Sequence, residues 1–368
     1  MRVLLGRFAV GVLLLSTNVA CSSSGGAASV GSTTTIVATA GAVTTSAAVT
    51  TSTTVTSSHW ASYLDEVLDV VEADAYFANR VDFNAWHQRI DERSAASSIS
   101  YFEMLQLSGE ILVDLGDHHS GRLSAGEYAQ LNARMDDSVL ATPPPTGKLL
   151  PGGVGYLTIP PVTAGVGSGA YDSYVTHAHQ VLQLPACGWI IDLRDNGGGS
   201  VPPMIAAVAP LLGPGTFLGY IKRDRTVFGY QTTDSTVTTA ADTDLDPSTT
   251  PTGANATLLN TAPVAILTGE RTASAAEGVV VGFIGRALTR SFGASTSGVP
   301  TGNSTIELSD GSVLNLTTTI TIDRLGGTHD GPIAPDVAVT PNTTAAGDDT
   351  VTAATAWLSQ QPSCQTQS

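Results

Sequence analysis

Trp189-Ile190-Ile191-Asp192-Leu193-Arg194-Asp195-Asn196-Gly197-Gly198-Gly199 runs from a short apolar stretch through a polar turn into three glycines. A short run of this kind, without polar alternation, reads as a strand buried on both faces, as in a parallel sheet flanked by helices. The glycines allow positive φ and bring bare backbone N–H groups to a surface. A phosphate loop is excluded, because neither the Walker spacing with its lysine nor G-x-G-x-x-G is present. An oxyanion-binding turn fits the glycines, and so does a plain strand–helix turn.

Outward from this stretch the chain alternates strands and helices. Tyr171 to Leu184 reads as a helix before it and Met204 to Leu212 as a helix after it. Gly155 to Ile159 and Val264 to Leu267 are further short strands, and Ala275 to Arg286 is a helix of small residues. Residues 304 to 322 alternate as a hairpin around Asp310-Gly311, and the Thr/Asp-rich residues 232 to 262 read as a long exposed loop. The pattern predicts an α/β sandwich over residues 146–360. Upstream, Trp60, Tyr63, Leu64, Val67, Leu68 and Val71 recur at helical spacing. Further helices are expected at Phe83 to Ile90 and Tyr101 to Leu115. Residues 58–140 therefore read as an N-terminal helical domain, bounded by Pro143-Pro144-Pro145.

The first 57 residues differ in kind. Arg2 and Arg7 precede the apolar run Phe8 to Leu15, which has signal-peptide length and is too short to span a bilayer. Asn18-Val19-Ala20-Cys21 resembles a bacterial lipobox in which Cys21 carries lipid; an ordinary cleaved signal is the other reading. Residues 1–21 are thus read as the lipoprotein signal. Residues 22–57 hold no charged residue and no apolar period, as expected of a flexible tether. The net charge of −16 argues against a nucleic-acid partner held through phosphates. Of three cysteines, Cys187 and Cys364 remain for a disulfide or for two separate thiols.

Thr272-Ala273-Ser274-Ala275-Ala276-Glu277 follows a strand and opens a helix, which leaves the Ser274 hydroxyl and the next N–H groups facing outward. Ser274 with Glu277 at N3 is equally a good capping box. A nucleophilic serine needs a proton acceptor. The chain has two lysines, Lys148 and Lys222, and neither follows the serine. Among seven histidines, His118 and His119 stand together in Gly116-Asp117-His118-His119-Ser120 at the end of a helix. Adjacent histidines diverge, so they suit one metal ion poorly, and no H-E-x-x-H or C-x-x-C spacing occurs. From the residues alone they are a base at a helix–loop junction or a surface pair.

Three stretches together resemble the tail-specific (C-terminal processing) protease superfamily in order and spacing. They are Leu-Arg-Asp-Asn-Gly-Gly-Gly after a strand, Thr-Ala-Ser-Ala-Ala-Glu, and Gly331-Pro332-Ile333-Ala334-Pro335-Asp336-Val337. The resemblance implies that fold, of crotonase-like type, with Ser274 as nucleophile and the N–H groups of Ala275 and Gly198 as oxyanion donors. The best-known members use a lysine in a Thr-Phe-Gly-Lys-Gly segment. The matching Thr296-Ser297-Gly298-Val299-Pro300 carries valine there, and there is no room for the inserted PDZ domain. Both departures, with Pro203-Met204 and the Ala-Pro-Leu-Leu-Gly that follows, resemble the branch that includes the nisin-resistance protein and the tricorn core. There a histidine in a His-Ser motif is the base, which implies His119, with His118 second. Asp330 falls where some relatives carry an acid supporting the base, and Glu277 is a second supporting residue.

The resulting expectation is an exported serine peptidase, lipid-anchored on the outer face of the bacterial cytoplasmic membrane. It would cleave peptide or protein substrates near their C-terminus through a Ser–His dyad, without cofactor or metal. A non-catalytic ligand-binding member of the same fold, or an esterase or amidase acting on envelope material, is the alternative.

Overall fold

The computed structural model describes residues 58–136, 143–213, 215–233, 236–239, 248–249, 259–340, 343–344 and 347–365. The expected signal, the lipobox cysteine and the tether lie outside the described residues.

The N-terminal region is built from helices α1 (Ser58–Asp74), α2 (Phe83–Ala96), α3 (Tyr101–Asp114) and α4 (Ala125–Asp136). Asp82 and Ser100 cap α2 and α3 by accepting hydrogen bonds from Ala85 N–H and Glu103 N–H. Strand β1 (Gly121–Leu123) lies between α3 and α4.

Strands β2 (Thr146–Leu150), β3 (Val154–Thr158) and β4 (Gly188–Asp192) follow, with α5 (Gly169–Val181) between the last two. Helix α6 (Val201–Leu212) comes next, then β5 (Gly215–Lys222), β6 (Val227–Thr233), β7 (Thr236–Thr239) and β8 (Ser248–Thr249). Strand β9 (Val264–Thr268), α7 (Ala275–Phe283) and β10 (Thr289–Gly293) complete the central unit. The chain continues with β11 (Thr301–Glu307), β12 (Val313–Asp323), β13 (Thr328–His329), β14 (Val337–Ala338) and α8 (Asp349–Leu358).

Two sheets organise these elements. The first has the order β14-β10-β9-β4-β3-β2, parallel except for β2. The second is antiparallel, β1-β12-β5-β6-β7-β8, with β11 and β13 also on β12. Alternation within the unbroken apolar strands decides the layering. Trp189 and Ile191 of β4 and Val264 and Ile266 of β9 pack with α5, α6, α7 and with Phe217 and Leu218 of β5. Ile190, Ala265 and Leu267 point the other way, onto Ala354 and Leu358 of α8. The far face of the second sheet contributes Ile221, Leu314, Leu316 and Ile320 to a core shared with α1, α2 and α3. The α/β sandwich with an N-terminal helical region is therefore the fold.

The hairpin around Asp310-Gly311 is present as β11–β12. The loop expected over 232–262 is partly replaced: Thr236–Thr239 pairs with β6 and Ser248–Thr249 pairs with Thr236–Thr239, since Thr-rich sequence favours strands. The rest of that stretch is mostly outside the described residues. Cys187 and Cys364 form a disulfide that fastens the C-terminal end to the start of β4.

Candidate active site

Strands β4 and β9 are parallel neighbours, with Asp192 in register with Leu267, so both deliver their following loops to one edge of the sheet. That edge joins the glycine turn to the serine turn. Ala273 N–H donates to Asn196 O (3.0 Å), and the Thr272 hydroxyl donates to Leu193 O (2.9 Å). A Cβ placed on Gly198 would lie 2.8 Å from Ser274 Cβ and 3.3 Å from Ala275 N. With φ at +103°, this position excludes any side chain twice over, by space and by backbone.

Ser274 itself sits at φ 54°, ψ −117°, a left-handed conformation unusual for a non-glycine residue. What holds it there is Glu277, which is fully buried. One carboxylate oxygen accepts Ser274 N–H (2.8 Å) and Val299 N–H (2.9 Å), and the other accepts Gly298 N–H (2.8 Å). Burial pushes the Glu277 carboxyl up, against hydrogen bonds from Thr296, Gly298, Ser274 and Val299 that favour its ionised form. Glu277 thus clamps two segments together, and no hydrogen bond joins it to either histidine.

The first N–H of α7, that of Ala275, donates no hydrogen bond among those described, while Ala276 N–H and Gly278 N–H are satisfied by Ala273 O and Ser274 O. Ala275 is therefore free to meet a developing oxyanion. Gly198 differs. Its N–H is taken by Asn196 Oδ1 at 2.9 Å in a local Asx turn, so it must share or release that acceptor to bind an oxyanion. Asn196 is in turn fixed by donating to Ile159 O (2.9 Å).

The two histidines diverge as adjacent residues should. His118 is exposed, at φ 53°, and lines a groove with Tyr101, Leu105 and Val113. His119 is buried, 7% exposed. Asp117 shapes this turn by accepting the N–H groups of His119 (3.0 Å) and Ser120 (2.9 Å), and the Ser120 hydroxyl (2.6 Å). Strand β11 and its partner hold the turn from the other side: Asn303 Nδ2 donates to His119 O (2.9 Å), and Thr317 N–H donates to Ser120 Oγ (3.0 Å). His119 Nδ1 lies 2.6 Å from Thr301 Oγ1, and its Nε2 has no hydrogen-bond partner among the described residues. Desolvation depresses the imidazole to about 4, with Asp117 opposing. No hydrogen bond joins His119 to Ser274 in this arrangement.

Asp330 is exposed, and no hydrogen bond or ion pair joins it to His119; the ring nitrogen that an acid would serve faces the Thr301 hydroxyl instead. The nearby His329 is paired with Asp323 Oδ2 (2.8 Å). The Gly331–Val337 stretch serves structure. Ile333 O accepts Thr296 N–H (3.1 Å), Thr296 Oγ1 accepts Ile333 N–H (2.8 Å), and Asp336 accepts Ser291 N–H (2.7 Å). Thr301 and Asn303 were not anticipated, since single polar residues in a Thr-rich chain carry no local signal, and Asn196 stood within the glycine stretch without a role of its own. Among the described residues, no group of three or more His, Cys, Asp or Glu could hold a metal ion.

A strained serine opening a helix, pressed by a glycine turn and backed by an unengaged backbone N–H, is the arrangement of a serine hydrolase. Peptidase family S41 matches residues 153–339. The chain belongs to that family, and is by family a serine-type peptidase. It is 29% identical over 151 residues to the nisin-resistance protein of Lactococcus lactis subsp. lactis, a match spanning 41% of this chain and 45% of that one. A lipoprotein from Streptococcus agalactiae has the same fold at TM-score 0.63 and 26% identity, over 81% of this chain and 96% of its own. The photosystem II D1 C-terminal processing protease shares the fold at TM-score 0.53 and 13% identity, over 76% of this chain and 93% of its own.

Proposed function

We propose that this chain is an exported, lipid-tethered peptidase that cleaves peptides or proteins near their C-terminus through Ser274 and His119. His119 Nε2 takes the Ser274 proton, and the alkoxide attacks the scissile carbonyl. Ala275 N–H and Gly198 N–H stabilise the tetrahedral oxyanion, the latter once Asn196 shares it. The proton passes to the leaving amine, and water then deacylates the serine by the same route. The observation that carries this reading is the strained Ser274 backbone beside the free Ala275 N–H. His119 Nε2, buried and without a partner, supports the base role.

Export rests on the basic and apolar segments before Cys21. The Cys187–Cys364 disulfide suits an oxidising compartment, and the similar streptococcal protein is a lipoprotein. Replacing Cys21 by serine should release the protein from the membrane fraction and remove the lipid mass from its N-terminus.

The catalytic assignment is tested by labelling with a peptide aldehyde or fluorophosphonate. Wild type should label, whereas Ser274→Ala should not and His119→Ala should label at least about 10²-fold more slowly. Both variants should melt as cooperatively as wild type. Equal labelling of the serine variant would sink the nucleophile. A peptide-library digest read by mass spectrometry reports whether cuts cluster at C-termini.

A further inference from the structure

An imidazole can accept the serine proton at Nε2 only while its own proton sits on Nδ1, so something must hold that tautomer. Among the described residues, no carboxylate is bonded to the His119 ring. Its Nδ1 lies 2.6 Å from Thr301 Oγ1, and Thr301 is itself buried.

A hydroxyl could serve in two ways. It could donate to Nδ1, which would place the ring proton on Nε2 and leave that N–H buried without an acceptor. It could instead accept from Nδ1–H, which leaves only a bare Nε2 lone pair unserved. Orphaned buried N–H groups are the rarer and costlier defect. The second arrangement is therefore favoured, and it is the one that makes Nε2 a base.

The surrounding strand supports the same role. Thr301 and Asn303 flank a register shift in β11, and both reach the histidine, one at its ring and one at its carbonyl. Thr301 also follows Gly298 and Val299, whose N–H groups Glu277 ties to Ser274. A short covalent path therefore links the clamp behind the nucleophile to the hydroxyl behind the base.

We infer that Thr301 is the positioning residue of the base, its hydroxyl accepting Nδ1–H of His119 where a carboxylate would otherwise stand. This rests on His119 being the base.

The experiment combines ¹⁵N-imidazole NMR of the full chain with steady-state kinetics of Thr301→Val, Thr301→Ala, Thr301→Ser and His119→Ala on one peptide substrate. Wild type should give a protonated Nδ1 and an unprotonated Nε2 for the His119 ring. Loss of the hydroxyl in the Val and Ala variants should lower kcat by about 10- to 100-fold with KM little changed, and should mix the two tautomers. Thr301→Ser should stay within about threefold of wild type, because it keeps the oxygen. If the valine variant does not fold, the alanine and serine pair gives the same contrast, and the wild-type tautomer needs no variant. A wild-type ring protonated at Nε2 would overturn the inference, as would Val and Ala variants with wild-type kcat. An active His119→Ala enzyme would instead overturn the base, a separate failure.

Discussion

The serine half and the histidine half of this site are made by opposite means. Ser274 is positioned by neighbours in sequence and by adjacent parallel strands, with Glu277 three residues away and the glycine turn one strand over. His119 is held by polar bonds to residues 182 and 184 positions distant, Thr301 and Asn303. The first is a covalently local device built on a buried sheet. The second is a docked loop whose position depends on two remote side chains. On the proposed roles, the nucleophile is held by the first means and the base by the second, which makes the base the more adjustable of the two.

That contrast can be broken at the serine half with Gly198→Ala. The added methyl would meet Ser274 Cβ at 2.8 Å and Ala273 O at 2.9 Å, on a backbone at φ +103°. We expect kcat to fall about 10²–10³-fold, as for loss of an oxyanion donor. Stability should fall by about 1–3 kcal/mol from backbone strain. Active-site labelling and thermal melts read the two separately. Wild-type activity would mean that the glycine turn does not press on the nucleophile in the working enzyme.

The histidine half is sharpened by pH. Burial lowers His119 from 6.5 to about 4 in the folded chain. A depressed folded value means that the neutral ring contributes stability above pH 6.5, and that this contribution is lost as pH falls through about 4. The acid limb of kcat/KM should therefore lie near pH 4, with melting temperature falling over the same window in wild type and less so in His119→Ala. An acid limb near 6.5 would indicate that the loop opens and solvates the ring during turnover.

The smallest expected effect is at Asp330. Its side chain is exposed and makes no hydrogen bond or ion pair with His119, so Asp330→Asn should change kcat by less than about twofold. A hundredfold loss would mean that the catalytic form rearranges the 328–331 segment towards the base.

The same contrast explains what the sequence revealed. Strand β4, the glycine turn and the serine–helix junction were legible because apolar runs, glycines and a small-residue helix are local signals. Helix α4 was missed although its own sequence marks it: Ser124 and Glu127 form a capping box through Ser124 N–H to Glu127 (2.8 Å) and Glu127 N–H to Ser124 (3.3 Å). Strands β5 and β6 were passed over because their glycines and tyrosines blur the two-residue period. Residue type could not tell His119 from His118; one faces the β11 strand and the other solvent, which only the tertiary fold decides. Thr301 was invisible for the same reason, being one hydroxyl whose partner lies 182 residues earlier.

Glu277 has a bearing on how such enzymes can diverge. It grips residue 299 by its main-chain N–H, so it is indifferent to the side chain mounted there. The best-known proteases that this chain resembles carry a lysine at the matching position, and valine stands here. With His119 as the proposed base, the proton acceptor would stand on a different element while the Glu277 clamp around Ser274 is unchanged. On the proposed roles the site is modular, with Ser274 fixed by the Glu277 clamp and the base mounted on a separate element.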